Sequence, residues 1–163
     1  PPELVNPYLF RDPIAPHIAA QSKGTRIEIP RIVEAYEQLA GLADWVVVEG
    51  AGGFRVPLDE RRDGADLAVA LGLPVLMVVG LRLGCLNHAL LTAEAIAARG
   101  LRLAGWVANQ VDPGLARREE NLATLSSLIR APCFGLIPWL GQSAGGVEPE
   151  TLASHLAIGE IRP

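Results

Sequence analysis

Short unbroken apolar runs alternate along this chain with longer segments whose apolar residues recur every three or four positions. The runs are residues 45–48 (Trp-Val-Val-Val), 74–80, 103–108 and 133–137. Their β-branched and aromatic content predicts strands buried on both faces. The periodic segments predict helices. The clearest is 29–40, with Pro30 in its first turn, Ile32, Tyr36 and Leu39 on one face and Gly41 as its stop. Others cover 65–71, 85–99 closed by Gly100, 115–129 with Leu122, Leu125 and Ile129 on one side, and 148–157. A shorter helical patch follows the proline-framed turn within 13–22. Apolar strands alternating with helices predict an α/β fold: a parallel sheet in three layers, with helices on both faces and right-handed crossovers, forming a single domain over 1–163.

In such sheets ligands bind beyond the carboxyl ends of the strands, so the residues that follow each run are the candidates. The first run stops at Glu49, followed by Gly50, Ala51, Gly52 and Gly53. A carboxylate where a strand leaves the core, beside backbone N–H groups that no side chain covers, suits a hard cation shared with phosphate oxygens. The same residues equally describe a strand end, a glycine turn and a solvated carboxylate, and this stretch alone leaves both readings open. The second run leads to Gly84, Cys85, Leu86 and Asn87, a helix opening whose N–H groups favour an anion. Taken by themselves, Cys85 and Asn87 are ordinary first-turn residues, and Cys85 has only His88 nearby as a base. The third run ends in Asn109 and Gln110; an amide there either reads a base edge or caps a turn. The fourth ends in Pro138, Trp139 and Leu140, which either flank a base or pack. His17 reads as a structural histidine, and Arg61 and Arg62 as a solvated loop.

Composition narrows the field. Half of the 163 residues are apolar, enough for one domain with a real core. A net charge of -4 and a pI near 5.4 argue against a nucleic-acid surface. Lys23 is the only lysine. The two cysteines, Cys85 and Cys133, are far apart in apolar surroundings, which predicts free thiols in a reducing compartment, the cytoplasm. No apolar run approaches membrane-spanning length, and the first residues lack the order of a signal peptide. The chain opens on Pro1 in a loop-like segment without an initiator methionine, which predicts that a further N-terminal part precedes it in the natural protein.

Six segments then carry a resemblance: Val5-Asn6-Pro7-Tyr8; Pro16-His17-Ile18-Ala19-Ala20; Val48-Glu49-Gly50-Ala51-Gly52-Gly53; Leu83-Gly84-Cys85-Leu86-Asn87-His88 with Leu91-Thr92-Ala93; Gly105-Trp106-Val107-Ala108-Asn109; and Ile137-Pro138-Trp139-Leu140. In this order they resemble the dethiobiotin synthetase family over nearly the whole chain. The resemblance implies a P-loop NTPase-like sheet and a homodimeric, ATP- and Mg2+-dependent ligase of biotin synthesis. In that family carbon dioxide adds to one amine of 7,8-diaminononanoate, ATP phosphorylates the carbamate, and the second amine closes the cyclic urea and expels phosphate. It further implies that Glu49 is the catalytic carboxylate and magnesium ligand, and that Gly50, Ala51 and Gly52 continue a phosphate-proximal loop. Asn109 and Gln110, with Pro138, Trp139 and Leu140, match the segments that hold adenine. Gly84, Cys85, Leu86 and Asn87 match the helix start that receives the substrate carboxylate from the partner subunit. Asn121 falls where some relatives have a substrate-facing tyrosine.

One departure stands out. The family's Gly-x-x-x-x-Gly-Lys-[Ser/Thr] loop, with its first strand, does not occur in these residues. The chain thus resembles roughly the last two-thirds to three-quarters of a family member, and the residues by themselves are expected to be inactive. The alternatives are another P-loop amidoligase sharing the Glu-Gly-x-Gly-Gly strand end, such as the cobyrinic acid amide-forming enzymes, or a non-catalytic nucleotide-binding or dimerisation module.

Overall fold

Three of the four predicted strands form. The structure is a computed structural model describing residues 1–141, 147–157 and 159, and the chain divides into two compact units, Pro1–Gly72 and Leu73–Pro163.

The first unit is helical. Helices α1 (Pro2–Val5), α2 (Pro16–Ser22) and α3 (Ile29–Ala40) each carry proline in the first turn, where its missing N–H leaves no carbonyl unpaired. α3 buries Ile29 and Ala35, with Ile32, Tyr36 and Leu39 half-buried on the predicted stripe. α1 packs against it. The Glu28 N–H donates to the Tyr8 hydroxyl at 3.0 Å, and the Arg31 guanidinium lies 4.9 Å from the centre of the Tyr8 ring. Helix α4 (Gly64–Leu71) begins one residue before its predicted start because Asp63 caps it. The Asp66 N–H donates to the Asp63 carboxylate at 3.1 Å, and the Asp63 N–H donates to the Asp66 carboxylate at 2.8 Å. Gly72, at φ 65°, closes it in the left-handed region.

Residues 45–48 are the exception. They were expected as a buried strand, yet no ladder forms there, and Trp45 and Val47 are 65% and 89% exposed. Strand propensity is a statement about fitting a pleated, half-buried surface, and no segment of the first unit pairs with this one. Sequence pattern predicted the run; absence of a hydrogen-bonding neighbour within the unit leaves it unpaired.

The second unit carries the sheet. Strands β1 (Val75–Leu81), β2 (Leu103–Gln110) and β3 (Cys133–Ile137) pair in parallel in the order β1-β2-β3, connected through helices α5 (Cys85–Ala98) and α6 (Arg118–Leu128). This is the predicted α/β sheet, of P-loop NTPase-like type. Met77, Val79 and Leu81 from β1, Trp106 and Ala108 from β2, Cys85 and Ala89 from α5, and Leu125 with Ile129 form one core cluster. β2 is central, and residues 105–108 are buried on both faces. β1 departs from the two-faced burial expected of it: Leu76 and Val78 are exposed while their neighbours are buried, as suits an edge strand. β2 and β3 approach closely at Gly105, where a Cβ would run into the Phe134 ring.

Two helix boundaries also moved. α6 starts at Arg118 rather than 115, because the Asp112 carboxylate accepts the Gly114 N–H at 2.8 Å and holds 112–114 in a turn. The predicted 148–157 helix shortens to α7 (Pro149–Ala153): Leu156 bridges antiparallel to Gly135, and the Ala157 N–H donates to the Phe134 carbonyl at 2.7 Å. Sheet pairing outcompetes the last helical turn. Gly135 sits at φ 142° against the His155 carbonyl, where only glycine fits.

Candidate functional site

The carboxyl ends of the three strands converge in register. Gly80 of β1 pairs with Asn109 of β2, and Asn109 pairs with Ile137 of β3. The segments that follow each pairing point therefore leave the sheet at one level: 82–87 after β1, Gln110 and its loop after β2, and Pro138, Trp139 and Leu140 after β3. Asn109, Gln110, Pro138 and Leu140 are half-buried and Trp139 is more open, so an apolar shelf lies beside the strand carrying two amides. Apolar surface and hydrogen-bonding amides thus meet at one end of the sheet.

The two amides differ in a way the sequence did not show. The Gln110 carboxamide is engaged at both ends: its oxygen accepts from Arg118 Nη1 at 3.0 Å, and its nitrogen donates to the Asp112 carbonyl at 3.4 Å. Arg118 is itself paired with Glu119, its Nε at 2.8 Å from the carboxylate. Asn109 makes no side-chain hydrogen bond among the described residues, so its amide is open to a ligand. Arg118 escaped sequence reading; its bond to Gln110 joins residues eight apart across a turn.

After β1 the chain turns through Gly84, left-handed at φ 92°, into α5. The Cys85 N–H is used by the Arg82 carbonyl at 3.0 Å, and the His88 N–H by the Gly84 carbonyl at 3.1 Å. The N–H groups of Leu86 and Asn87 are left for an anion at a 14-residue helix start. The Cys85 side chain points into the core, which suits a packing role and not a nucleophile.

The remaining predicted residues belong to the first unit. Glu49 was expected at the mouth of a buried strand; it is instead exposed, on the unpaired segment, for the reason given for 45–48. Gly50, Ala51, Gly52 and Gly53 are exposed as well, and added Cβ atoms at Gly50 and Gly53 would meet nothing within 4 Å. Gly52 is different: at φ 87°, with a Cβ that would come 2.6 Å from Val56, it has to be glycine. Among the described residues no group of three or more His, Cys, Asp or Glu could hold a metal. A single carboxylate beside open backbone fits a magnesium ion all the same, since that ion commonly takes one or two protein carboxylates and fills its shell with phosphate oxygens and water. His17 has a buried Nδ1 without a partner among the described residues.

A parallel α/β sheet with ligand-ready segments at its carboxyl ends defines a nucleotide-binding class, and residues 1–145 match the family described as AAA domain. Three relatives are each named ATP-dependent dethiobiotin synthetase BioD. The one from Aromatoleum aromaticum is 54% identical over 156 residues, 96% of this chain and 68% of the relative. That from Janthinobacterium sp. (strain Marseille) is 57% identical over 140 residues, 86% and 59%. That from Pseudomonas paraeruginosa is 52% identical over 162 residues, 99% and 68%. The chain belongs to the dethiobiotin synthetase family, a family of ATP-dependent enzymes, and aligns with 59–68% of the length of these three relatives.

Proposed function

We propose that this chain carries part of the site of a magnesium-dependent dethiobiotin synthetase, which uses ATP and carbon dioxide to close a cyclic urea on 7,8-diaminononanoate. The reading takes its 163 residues as one α/β domain of a cytoplasmic homodimer whose active site spans the subunit interface. The observation that carries it is the register of Gly80, Asn109 and Ile137, which brings the predicted base and carboxylate segments to one end of the sheet.

The roles follow from the chemistry of each group. Asn109 offers an acceptor and a donor to the edge of adenine, and Pro138, Trp139 and Leu140 an apolar shelf for its face. Gln110 is held by Arg118 and shapes the rim. The N–H groups of Leu86 and Asn87, after the turn at Gly84 and Cys85, receive the substrate carboxylate of the partner's reaction, which holds the two amines at a set distance from the nucleotide. Glu49, with the backbone of Gly50, Ala51 and Gly52, is the group that would hold magnesium beside the phosphates; the ion supplies charge neutralisation as phosphoryl is transferred. Phosphorylation makes the carbamate oxygen a good leaving group, and attack by the second amine then releases phosphate. The residues from 1 to 163 contain no Gly-x-x-x-x-Gly-Lys segment, so they are expected not to turn over by themselves.

The experiment is dethiobiotin formation from diaminononanoate, bicarbonate and ATP by the full-length protein. Glu49→Ala is expected to lower kcat by about a hundredfold or more, the scale of lost transition-state charge stabilisation. Full turnover in that variant removes Glu49 from the mechanism.

A further inference from the structure

Beyond the glycine loop the chain folds back on itself. The Val56 N–H donates to the Gly53 carbonyl at 3.1 Å, and the Gly64 N–H to the Val56 carbonyl at 2.9 Å. Pro57 and Asp63 form an antiparallel bridge, and a Cβ at Gly64 would lie 2.9 Å from the Phe54 carbonyl. Arg55 sits at this bend, two residues past the last glycine of the loop. Its Nε donates to the carboxylate of Asp63, the buried charged residue among those described.

The two partners are unequally placed. The Asp63 side chain is 11% exposed and that of Arg55 61% exposed. Asp63 also accepts the Asp66 N–H at the start of α4, so the carboxylate is fixed from the helix side. Arg55 spends only Nε on it; the two terminal nitrogens have no partner among the described residues. An arginine present only to neutralise a buried carboxylate is best placed with its fork bidentate on that carboxylate. Here the carboxylate takes Nε alone and leaves the fork free on a largely exposed side chain, in the segment that follows a loop whose glycines at 50 and 53 are uncovered.

We propose that Arg55 is an oxyanion-binding residue of the loop that follows Glu49, with Asp63 as the positioning residue that aims its fork at a phosphate group. A guanidinium there also offsets the repulsion between that phosphate and the Glu49 carboxylate. The proposal rests on the functional reading above only for which phosphate is bound, one belonging to the nucleotide or the inorganic phosphate released by ring closure.

The test is calorimetric titration of the protein with ATP and, separately, with inorganic phosphate. Arg55→Ala is expected to weaken at least one of them about tenfold, the scale of a charge-assisted contact. Arg55→Lys restores part of the loss, since an ammonium cannot make the fork. Asp63→Asn, which keeps the cap oxygen and removes the charge behind the guanidinium, weakens the same ligand severalfold. A loss confined to ATP assigns the nucleotide's phosphates, and a loss confined to inorganic phosphate assigns the released ion. Wild-type affinity for both ligands in Arg55→Ala, at an unchanged melting temperature, overturns the anion role. Wild-type affinity in Asp63→Asn overturns the aiming. Should Arg55→Ala unfold, Arg55→Gln, which keeps the stem and a donor, carries the same comparison. Failure of the wild-type protein to make dethiobiotin would sink the functional reading and leave this titration able to decide.

Discussion

Asp59 shows how one side chain organises the loop before α4. Its carboxylate accepts the N–H groups of Arg61 and Arg62, each at 2.8 Å, and the Nε of Arg62, also at 2.8 Å. The backbone N–H of Arg61 leads, with the Arg62 side chain next, in lowering its pKa from 3.8 to about 2. The folded value lies below the unfolded one, so this contribution is fully present above pH 3.8 and is lost as pH falls through about 2. Urea midpoints of wild type and Asp59→Asn should therefore differ by a constant amount from pH 7 to about 5, and the gap should close between about 4 and 2. A gap that widens on acidification would contradict the hydrogen bonds. The two amides at the end of β2 make a second residue-scale prediction. Asn109→Ala should raise KM for ATP about tenfold, whereas Gln110→Ala, whose amide already serves Arg118 and Asp112, should change it less than threefold. Equal effects would mean that both amides meet the base. Asn109 and Gln110 were indistinguishable by sequence, because their difference comes from a partner eight residues away.

Elements were legible where local rules agreed with pairing. α3 combines a first-turn proline, an apolar stripe and a terminal glycine, and its bounds came out as predicted. β3 did likewise, since its apolar run is flanked by breakers and has a neighbour to pair with. The run 45–48 has a stronger strand pattern than β3 and forms none, which shows that a strand is a property of two segments. The α4 cap was also within reach, because Asp63 and Asp66 stand at capping-box spacing. The close contact of β2 with Phe134 gives a prediction at this scale. Gly105→Ala puts a methyl group into the Phe134 ring and should destabilise by about 1–3 kcal/mol in chemical denaturation. An unchanged midpoint would mean that the ring can move aside.

For the whole molecule, charge and apolar content set behaviour that no single contact controls. With a net charge of -4 at pH 7 and a pI near 5.4, solubility should pass through a minimum close to pH 5.4, measured as the concentration remaining after centrifugation across a pH series. A minimum above pH 7 would be inconsistent with this balance of charges. No helix among the described residues is long and apolar enough to cross a membrane. The predicted site residues lie in both units, and each group was legible in sequence to a different degree. Sequence alone determined that the second unit alternates strand and helix and that the order of its motifs belongs to one family, because periodicity, turn residues and motif spacing are local facts. Tertiary structure alone decided that Asn109 stands between Gly80 and Ile137, that Gln110 is held by Arg118, that Asp63 holds Arg55 by its Nε, and that residues 45–48 stay unpaired. Each of these depends on which distant groups come within hydrogen-bonding reach, and distance along the chain does not encode distance in space.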